Sequence, residues 1–85
     1  MPKRVDYSHD AAKALQRMDR ATAKRVRDKI RQLATDPESL ANNLKALKGA
    51  KGLMRLRVGD WRVIFTEGLL ILHVVKIRPR SSAYD

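Results

Sequence analysis

Residues 53–65 constrain the fold of this chain more than any other stretch, and they read Leu-Met-Arg-Leu-Arg-Val-Gly-Asp-Trp-Arg-Val-Ile-Phe. Two alternating runs flank a Val-Gly-Asp turn, which predicts a β-hairpin. Because successive strand residues point to opposite faces, one face of the hairpin is apolar, with Met54, Leu56, Val58, Trp61, Val63 and Phe65. The other face gathers Arg55, Arg57 and Arg62 beside Ile64. Since like charges repel on adjacent strands, this arginine set favours a site for phosphate.

The charge of the whole chain also indicates a polyanionic partner. There are 19 Lys and Arg against 9 Asp and Glu, a net charge of +10 over 85 residues, and the pI is about 10.7. A field of this sign favours association with nucleic acid or an anionic surface. The alternative is a solvated basic surface with no specific ligand.

Length and composition limit the class of protein. Residues 1–85 are enough for one small domain. The chain has no cysteine, which excludes disulfides and thiolate metal sites. Its longest apolar run, residues 69–72, is far too short for a membrane span, and the N-terminus lacks the hydrophobic stretch of a signal peptide. We therefore expect a cytoplasmic chain with no membrane association.

The remaining patterns predict the order β-α-α-β-β-β. Residues 3–7 alternate as a short strand, and two amphipathic helices follow, with Ser8 and Asp19 as N-caps and Pro37 after the second helix. Leu40, Leu44 and Leu47 predict only a short amphipathic turn before the hairpin. Residues 69–77 form a nearly continuous apolar strand. The prediction is an α+β fold, with two antiparallel helices on one face of a small, mainly antiparallel sheet and the arginines on the open face.

The side chains available for chemistry are mainly cationic. His73 lies within the apolar strand and is expected to be packed, His9 begins a helix, and no carboxylate pair is placed for a metal, so no cofactor is expected. The basic residues along the second helix, among them Lys24, Arg27 and Arg31, are interpreted as a solvated surface. A cationic patch is expected from Arg55, Arg57, Arg62, Arg78 and Arg80, approached by Lys45, Lys48 and Lys51.

Such a patch suits the cleavage of RNA without a metal ion. RNA carries its own nucleophile, the 2′-hydroxyl, and arginines can stabilise the charge of a pentacovalent phosphorus. Arginine is too basic to accept the proton, which leaves a lysine, the phenol of Tyr84 or water. The residues alone do not choose among these three.

The chain resembles the RelE/ParE superfamily of bacterial toxin–antitoxin toxins over nearly its whole length. The shared features are the opening strand with Ser8, the Leu15-x-x-Met18-Asp19 junction, Leu33-Ala34-x-Asp36-Pro37, Leu47-Lys48-Gly49, the segment from Arg55 to Phe65, and Tyr84. The RelE branch implies a ribosome-dependent endoribonuclease that cuts messenger RNA and arrests translation. It also implies a separate antitoxin partner, and thus a hetero-oligomer.

The resemblance assigns roles to four residues. Arg62 and Arg80 would stabilise the phosphorane charge, Arg55 would hold the phosphate or help activate the nucleophile, and Tyr84 would orient or exchange a proton. Lys45, Lys48, Lys51, Arg57 and Arg78 would bind RNA. Where many relatives end the last strand with Gly-His-Arg or Gly-Lys-Arg, this chain has Arg78-Pro79-Arg80, and proline cannot transfer a proton.

Two other functions remain open at the level of sequence. One is a ParE-like toxin that poisons DNA gyrase and cleaves nothing. The other is a basic module that binds nucleic acid without catalysis.

Overall fold

Five strands form one sheet in the computed structural model, which describes residues 2–47, 49 and 52–82. The strands are β1 (Arg4–Tyr7), β2 (Leu44–Ala46), β3 (Met54–Val58), β4 (Trp61–Glu67) and β5 (Ile71–Pro79), and their order across the sheet is β1-β5-β4-β3-β2. Strand β1 runs parallel to β5, and the other pairs are antiparallel. Helices α1 (His9–Arg17) and α2 (Arg20–Thr35) follow β1, and 3₁₀ helices cover Pro37–Asn43 and Arg80–Ser82. The predicted α+β class, with a mainly antiparallel sheet, is confirmed.

Both helices begin at the predicted caps. The Ser8 hydroxyl accepts a hydrogen bond from the Ala11 amide at 3.0 Å, and the Asp19 carboxylate accepts one from the Thr22 amide at 3.1 Å. The Thr22 hydroxyl also donates to Asp19, and these bonds lower the pKa of that carboxyl. Helix α2 ends before Pro37, which lacks the amide needed to continue it. Among the described residues, no helix combines the length and the apolar character needed to cross a bilayer.

The hairpin alternates as the sequence predicts. Val58 pairs with Trp61 around a two-residue turn, Gly59-Asp60, in which Gly59 has φ +58°. The turn favours glycine because of this backbone angle, whereas the guanidinium of Arg25 on α2, 2.9 Å from a Cβ built at Gly59, is the flexible end of a side chain and can move aside. The apolar face packs under the helices in one buried cluster: from the strands Leu56, Val58, Val63, Phe65, Leu72, Val74 and Ile77, and from the helices Ala11, Leu15, Ala23, Val26, Ile30, Leu33 and Ala34.

The segment before the hairpin contains a strand that the sequence does not reveal. The pattern predicts a short amphipathic turn, whereas the structure has the 3₁₀ helix Pro37–Asn43 followed by β2, which pairs with β3. Three residues are too few to show a period-two pattern in the sequence. The strand forms because β3 has an unpaired edge with which it can make backbone hydrogen bonds. The pairing of Leu44 with Leu56 fixes its register.

A β-bulge interrupts β5 in its middle. Phe65 pairs with Val74, but the preceding residue Ile64 pairs with Lys76, so that Val75 is the extra residue. The core positions of β5 are therefore Leu72, Val74 and Ile77, with a spacing of three between the last two. The bulge shifts the alternation of everything after Val75 by one residue. As a result Lys76 and Arg78 lie on the face opposite the helices.

Candidate nucleic-acid interface

Six basic side chains lie together on the sheet face opposite the helices, and we refer to them as the outer-face cluster. Three strands contribute one cross-strand row, Arg57–Arg62–Arg78. The next row is Lys45–Arg55–Ile64–Lys76, across four strands. With a strand separation near 4.8 Å and about 3.3 Å per residue, the arginine row spans about 10 Å and lies about 7 Å from the second row.

Arg62 is the buried centre of this cluster. Its side chain is only 8% exposed, although the sequence predicts merely that it shares the open face. Its Nη1 donates to the carbonyl oxygens of Gly59 at 2.9 Å and of Trp61 at 3.1 Å, which holds the guanidinium against the hairpin turn. Ile64, in the neighbouring row of the same face, is also buried, at 2% exposed. The positively charged guanidinium of Arg62 is therefore held in one orientation by the protein itself.

Two further arginines of the predicted site are held by carboxylates. Arg78 lies 3.1 Å from Asp10, which is in the first turn of α1. Arg80 follows the end of β5, where its amide donates to the Asp60 carbonyl at 2.8 Å and its guanidinium lies 3.9 Å from the Asp60 carboxylate. Arg78 thus belongs to the outer-face cluster, whereas Arg80 lies at the hairpin turn beside it. Both ion pairs are solvent-exposed enough for an anionic ligand to compete with the carboxylate.

Lys76 is the member of the cluster that sequence reasoning missed. In an uninterrupted strand it would share the core face with Leu72 and Val74. The bulge places it opposite Ile64 on the outer face instead. The sequence carries no clear signal for the bulge, because Val75 is as apolar as Val74 and lies two residues from Ile77, as regular alternation would require. The bulge carbonyl of Val75 accepts a hydrogen bond from the Ser8 hydroxyl, which ties this irregularity to the start of α1.

Some predicted site residues fall elsewhere. Lys48, Lys51 and Tyr84 lie outside the described residues. The expectation that His73 is packed is wrong, because it is exposed on the outer face between Thr66 and Asp6. That row lies four residues along β4 from Arg62, about 13 Å away. His73 is therefore not part of the outer-face cluster. Trp61, by contrast, packs against the core as its parity predicts.

The electrostatics of the outer-face cluster favour an anion. Like charges directly opposite one another on neighbouring strands destabilise a sheet, and here Arg57, Arg62 and Arg78 follow one another across three strands. A phosphate between them would replace repulsion by charge-assisted hydrogen bonds, for which the planar guanidinium is well suited. The arrangement can therefore bind phosphodiesters and stabilise additional negative charge on them.

Solved structures share this fold. The RelE chain of the archaeal RelE–RelB complex from Pyrococcus horikoshii OT3 is 28% identical, with a TM-score of 0.79, and the match covers 98% of this chain and 100% of that one. The E. coli DinJ–YafQ toxin–antitoxin complex matches at 14% identity and a TM-score of 0.76, covering 100% of both chains. YoeB from Staphylococcus aureus, solved as a dimer, matches at 14% identity and 0.74, covering 92% of this chain and 97% of that one.

The sequence comparison extends over the same length. No curated protein matches the chain. The family described as the ParE toxin of the type II toxin–antitoxin system parDE matches residues 5–84, which include every strand and helix of the fold except Arg4, the first residue of β1. The chain therefore belongs to the ParE toxin family of type II toxin–antitoxin systems, within the RelE/ParE superfamily of toxins.

Proposed function

We propose that this toxin is a ribosome-dependent endoribonuclease that cuts messenger RNA and so inhibits translation. The observation that carries the proposal is the outer-face cluster, with its row Arg57–Arg62–Arg78 and the second row Lys45, Arg55 and Lys76. Like charges on adjacent strands destabilise the sheet. A toxin that acted only by binding a protein would not require them at these positions. RNA is the favoured polyanion because it brings the 2′-hydroxyl nucleophile.

The reaction needs positioning and charge stabilisation more than covalent chemistry. The 2′-oxygen attacks the adjacent phosphorus and loses its proton, and the bond to the 5′-oxygen of the next nucleotide breaks as that oxygen gains a proton. The products are a 2′,3′-cyclic phosphate and a 5′-hydroxyl. In this scheme Arg62 faces the phosphorane charge from its fixed position at the turn, and Arg57 and Arg78 hold the flanking phosphates.

The proton carriers in this scheme come from three sources. Two lysines of the outer face are candidates: Lys45 lies beside Arg55, and Lys76 lies opposite Ile64 at the other end of the same row. The phenol of Tyr84 and water are the other two. Arg55 would hold the phosphate or help activate the nucleophile. Arg80 would reach the phosphate after leaving Asp60, with which it forms an ion pair at 3.9 Å.

A cognate antitoxin is the expected protein partner. The matched RelE–RelB and DinJ–YafQ structures are toxin–antitoxin complexes. A chain of net charge +10 would be held by an acidic partner that covers the outer face and excludes RNA. We therefore expect the toxin to exist as a hetero-oligomer until the antitoxin is removed.

A second candidate function is poisoning of DNA gyrase without cleavage of RNA. The observation that favours it is the match to the family described as ParE toxin. On this alternative the outer-face cluster would contact the target or the antitoxin, and substitution of its residues would leave messenger RNA intact.

The experiment is expression of the toxin in cells, with mapping of new ends on ribosome-bound transcripts. Arg57→Gln and Tyr84→Phe are the test variants. The matched control is Arg4→Gln, which removes the same charge from the same face on the edge strand β1. We expect translation-coupled cuts with the parent and with Arg4→Gln, and at least tenfold fewer with Arg57→Gln.

The same cells decide between the alternatives. Intact messages together with an SOS response and trapped gyrase would overturn the nuclease in favour of gyrase poisoning. Intact messages without either effect would leave a module that only binds nucleic acid.

A further inference from the structure

Four basic residues form a straight row on helix α2, far from the outer face of the sheet. Arg20, Lys24, Arg27 and Arg31 are all exposed, and we refer to them as the helix stripe. At 100° per residue they fall within an arc of about 60° on one flank of the helix. Successive members are three or four residues apart, so a positive charge recurs about every 5.5 Å over about 16 Å.

Two members of the helix stripe act on the same neighbouring side chain. Tyr7, at the end of β1, is half-buried, and burial raises the pKa of its phenol while Arg27 and Arg31 lower it. Helix α2 also contacts strand β1, so these two arginines belong to the helix that packs beside Tyr7. In the helix stripe Lys24 has an acidic partner, Asp28, at 2.8 Å. The phenol and the two arginines together offer several hydrogen-bond donors to an anion.

The helix stripe and the outer-face cluster cannot share one phosphate. Helix α2 packs its Ala23, Val26, Ile30 and Leu33 against the inner face of the sheet, and the cluster projects from the opposite face. The sheet stands between them. The molecule thus presents positive charge on two sides.

The surroundings of the helix stripe favour a nucleic-acid backbone over an acidic protein. Protein interfaces bury a central patch of apolar or aromatic side chains, but the exposed large apolar residues of the described chain are Leu69 and Leu70, in the turn between β4 and β5. A single strand would call for aromatic rings on which bases stack, and the ring of Tyr7 packs against the core instead. A duplex needs only regularly spaced phosphate contacts.

We propose that the helix stripe, with the Tyr7 hydroxyl beside it, binds the sugar–phosphate backbone of double-helical RNA. The inference rests on the proposed function, because the choice of RNA as the anionic ligand comes from it. It assigns the single-stranded substrate to the outer face and a neighbouring RNA duplex to the helices. The toxin is then held on a folded RNA assembly by one side while the other side meets the strand to be cut.

The test measures equilibrium binding of a fluorescent RNA hairpin with a long stem, at several salt concentrations, and requires no cleavage. Arg27→Gln/Arg31→Gln is compared with Arg25→Gln/Lys29→Gln, which removes two charges from the other flank of the same helix. Since each phosphate contact contributes about 0.7–0.9 to the slope of log K against log salt, we expect the first variant to reduce the slope by about 1.4–1.8. The control variant should leave the slope within about 0.5 of the parent's.

The outcomes of this binding test can be judged whether or not the toxin proves to be a nuclease. An equal reduction in both variants would overturn the proposal, because net charge alone would then explain binding. An unchanged slope in Arg27→Gln/Arg31→Gln would overturn it as well, and loss of antitoxin binding with RNA binding intact would assign the stripe to a protein partner. Absence of messenger RNA cleavage in cells would refute the nuclease but not a slope reduction confined to the stripe variant.

Discussion

Arg57 shows at the scale of one residue how function opposes stability in this sheet. It lies exposed in the row Arg57–Arg62–Arg78, directly opposite another guanidinium. Cross-strand pairs of like charge cost roughly 0.2–1 kcal/mol. We therefore expect Arg57→Gln to raise the free energy of unfolding by about that amount while weakening RNA binding, as measured by urea denaturation and fluorescence anisotropy.

The matched variant for this prediction is Arg4→Gln on the same face. Arg4 lies 3.7 Å from Asp6 and has no arginine opposite it, because its partner is Ile71. It should therefore bring no gain in stability. A loss of stability in Arg57→Gln would contradict the account of the row as electrostatically strained.

Tyr7 reports the position of Arg27 and Arg31 through its ionisation. Burial raises the pKa of its phenol above 10.0, and the two arginines oppose this rise. Because the folded-state pKa lies above the unfolded one, this group contributes stability below pH 10, and that stability is lost as the pH rises through the folded-state pKa. In a Tyr84→Phe background, Arg27→Gln/Arg31→Gln should raise the Tyr7 pKa further. The measurement is a phenolate absorbance titration, and an unchanged pKa would place the two guanidiniums away from the ring.

Parity along the hairpin predicted the faces of single residues, but not their burial. The sequence places Arg62 with Arg55 and Arg57, and the structure agrees. It does not predict that Arg62 is 8% exposed, because its acceptors are carbonyls of Gly59 and Trp61 whose direction depends on the turn. Side-chain alternation is a property of the strand, whereas this burial depends on the three-dimensional path of the turn.

The bulge in β5 is the element that completes the outer-face cluster. Without Val75 as an extra residue, Lys76 and Arg78 would point under the helices, where an unpaired charge is costly. The sequence prediction treated residues 69–77 as one regular apolar strand and so missed Lys76. It also missed β2, whose three residues are ordered by pairing with β3. The helices were predicted correctly because their caps and apolar stripes are local signals.

Ser8 connects helix α1 to this bulge. Its hydroxyl caps the helix by accepting from the Ala11 amide and donates to the Val75 carbonyl. Loss of an N-cap costs about 0.5–2 kcal/mol and loss of a hydrogen bond about 0.5–1.5 kcal/mol. We expect Ser8→Ala to lower the free energy of unfolding by about 1–3 kcal/mol in urea denaturation and to weaken RNA binding.

Asp19→Ala is the matched control for Ser8→Ala. It removes an N-cap of the same kind, to the Thr22 amide, but at the start of α2 rather than at the bulge. It should reduce stability by about 0.5–2 kcal/mol and leave RNA binding unchanged. If the two variants had the same effect on RNA binding, the bulge would have no part in positioning Lys76 and Arg78.

The molecule as a whole has a charge of +10 and carries two separate basic surfaces, the outer-face cluster on the sheet and the helix stripe on a flank of α2. A partner that neutralised one face would leave the other available, so an antitoxin covering the outer-face cluster need not cover the helix stripe. The exposed Leu69 and Leu70 lie at the far end of the β4–β5 hairpin from Arg62, where the Leu70 carbonyl accepts a hydrogen bond from the Arg4 amide.

Two independent basic faces should bind two nucleic acids at once. The outer-face cluster projects from the sheet and the helix stripe from the helix layer, and physiological salt screens charges over a Debye length of about 8 Å. A short single-stranded DNA, which lacks the 2′-hydroxyl, and an RNA duplex should therefore bind without strong mutual repulsion. A ligand at 100 times its Kd stabilises by about 2.7 kcal/mol, or about 10–20 °C in Tm for a chain of this size.

The measurement is thermal unfolding with each ligand alone and with both together. We expect the two stabilisation free energies to add, Arg57→Gln to reduce only the single-strand contribution, and Arg27→Gln/Arg31→Gln to reduce only the duplex contribution. If saturating duplex abolished the shift from the single strand, the two ligands would compete for one surface. The separation of substrate and anchor between the two sides of the sheet would then be wrong.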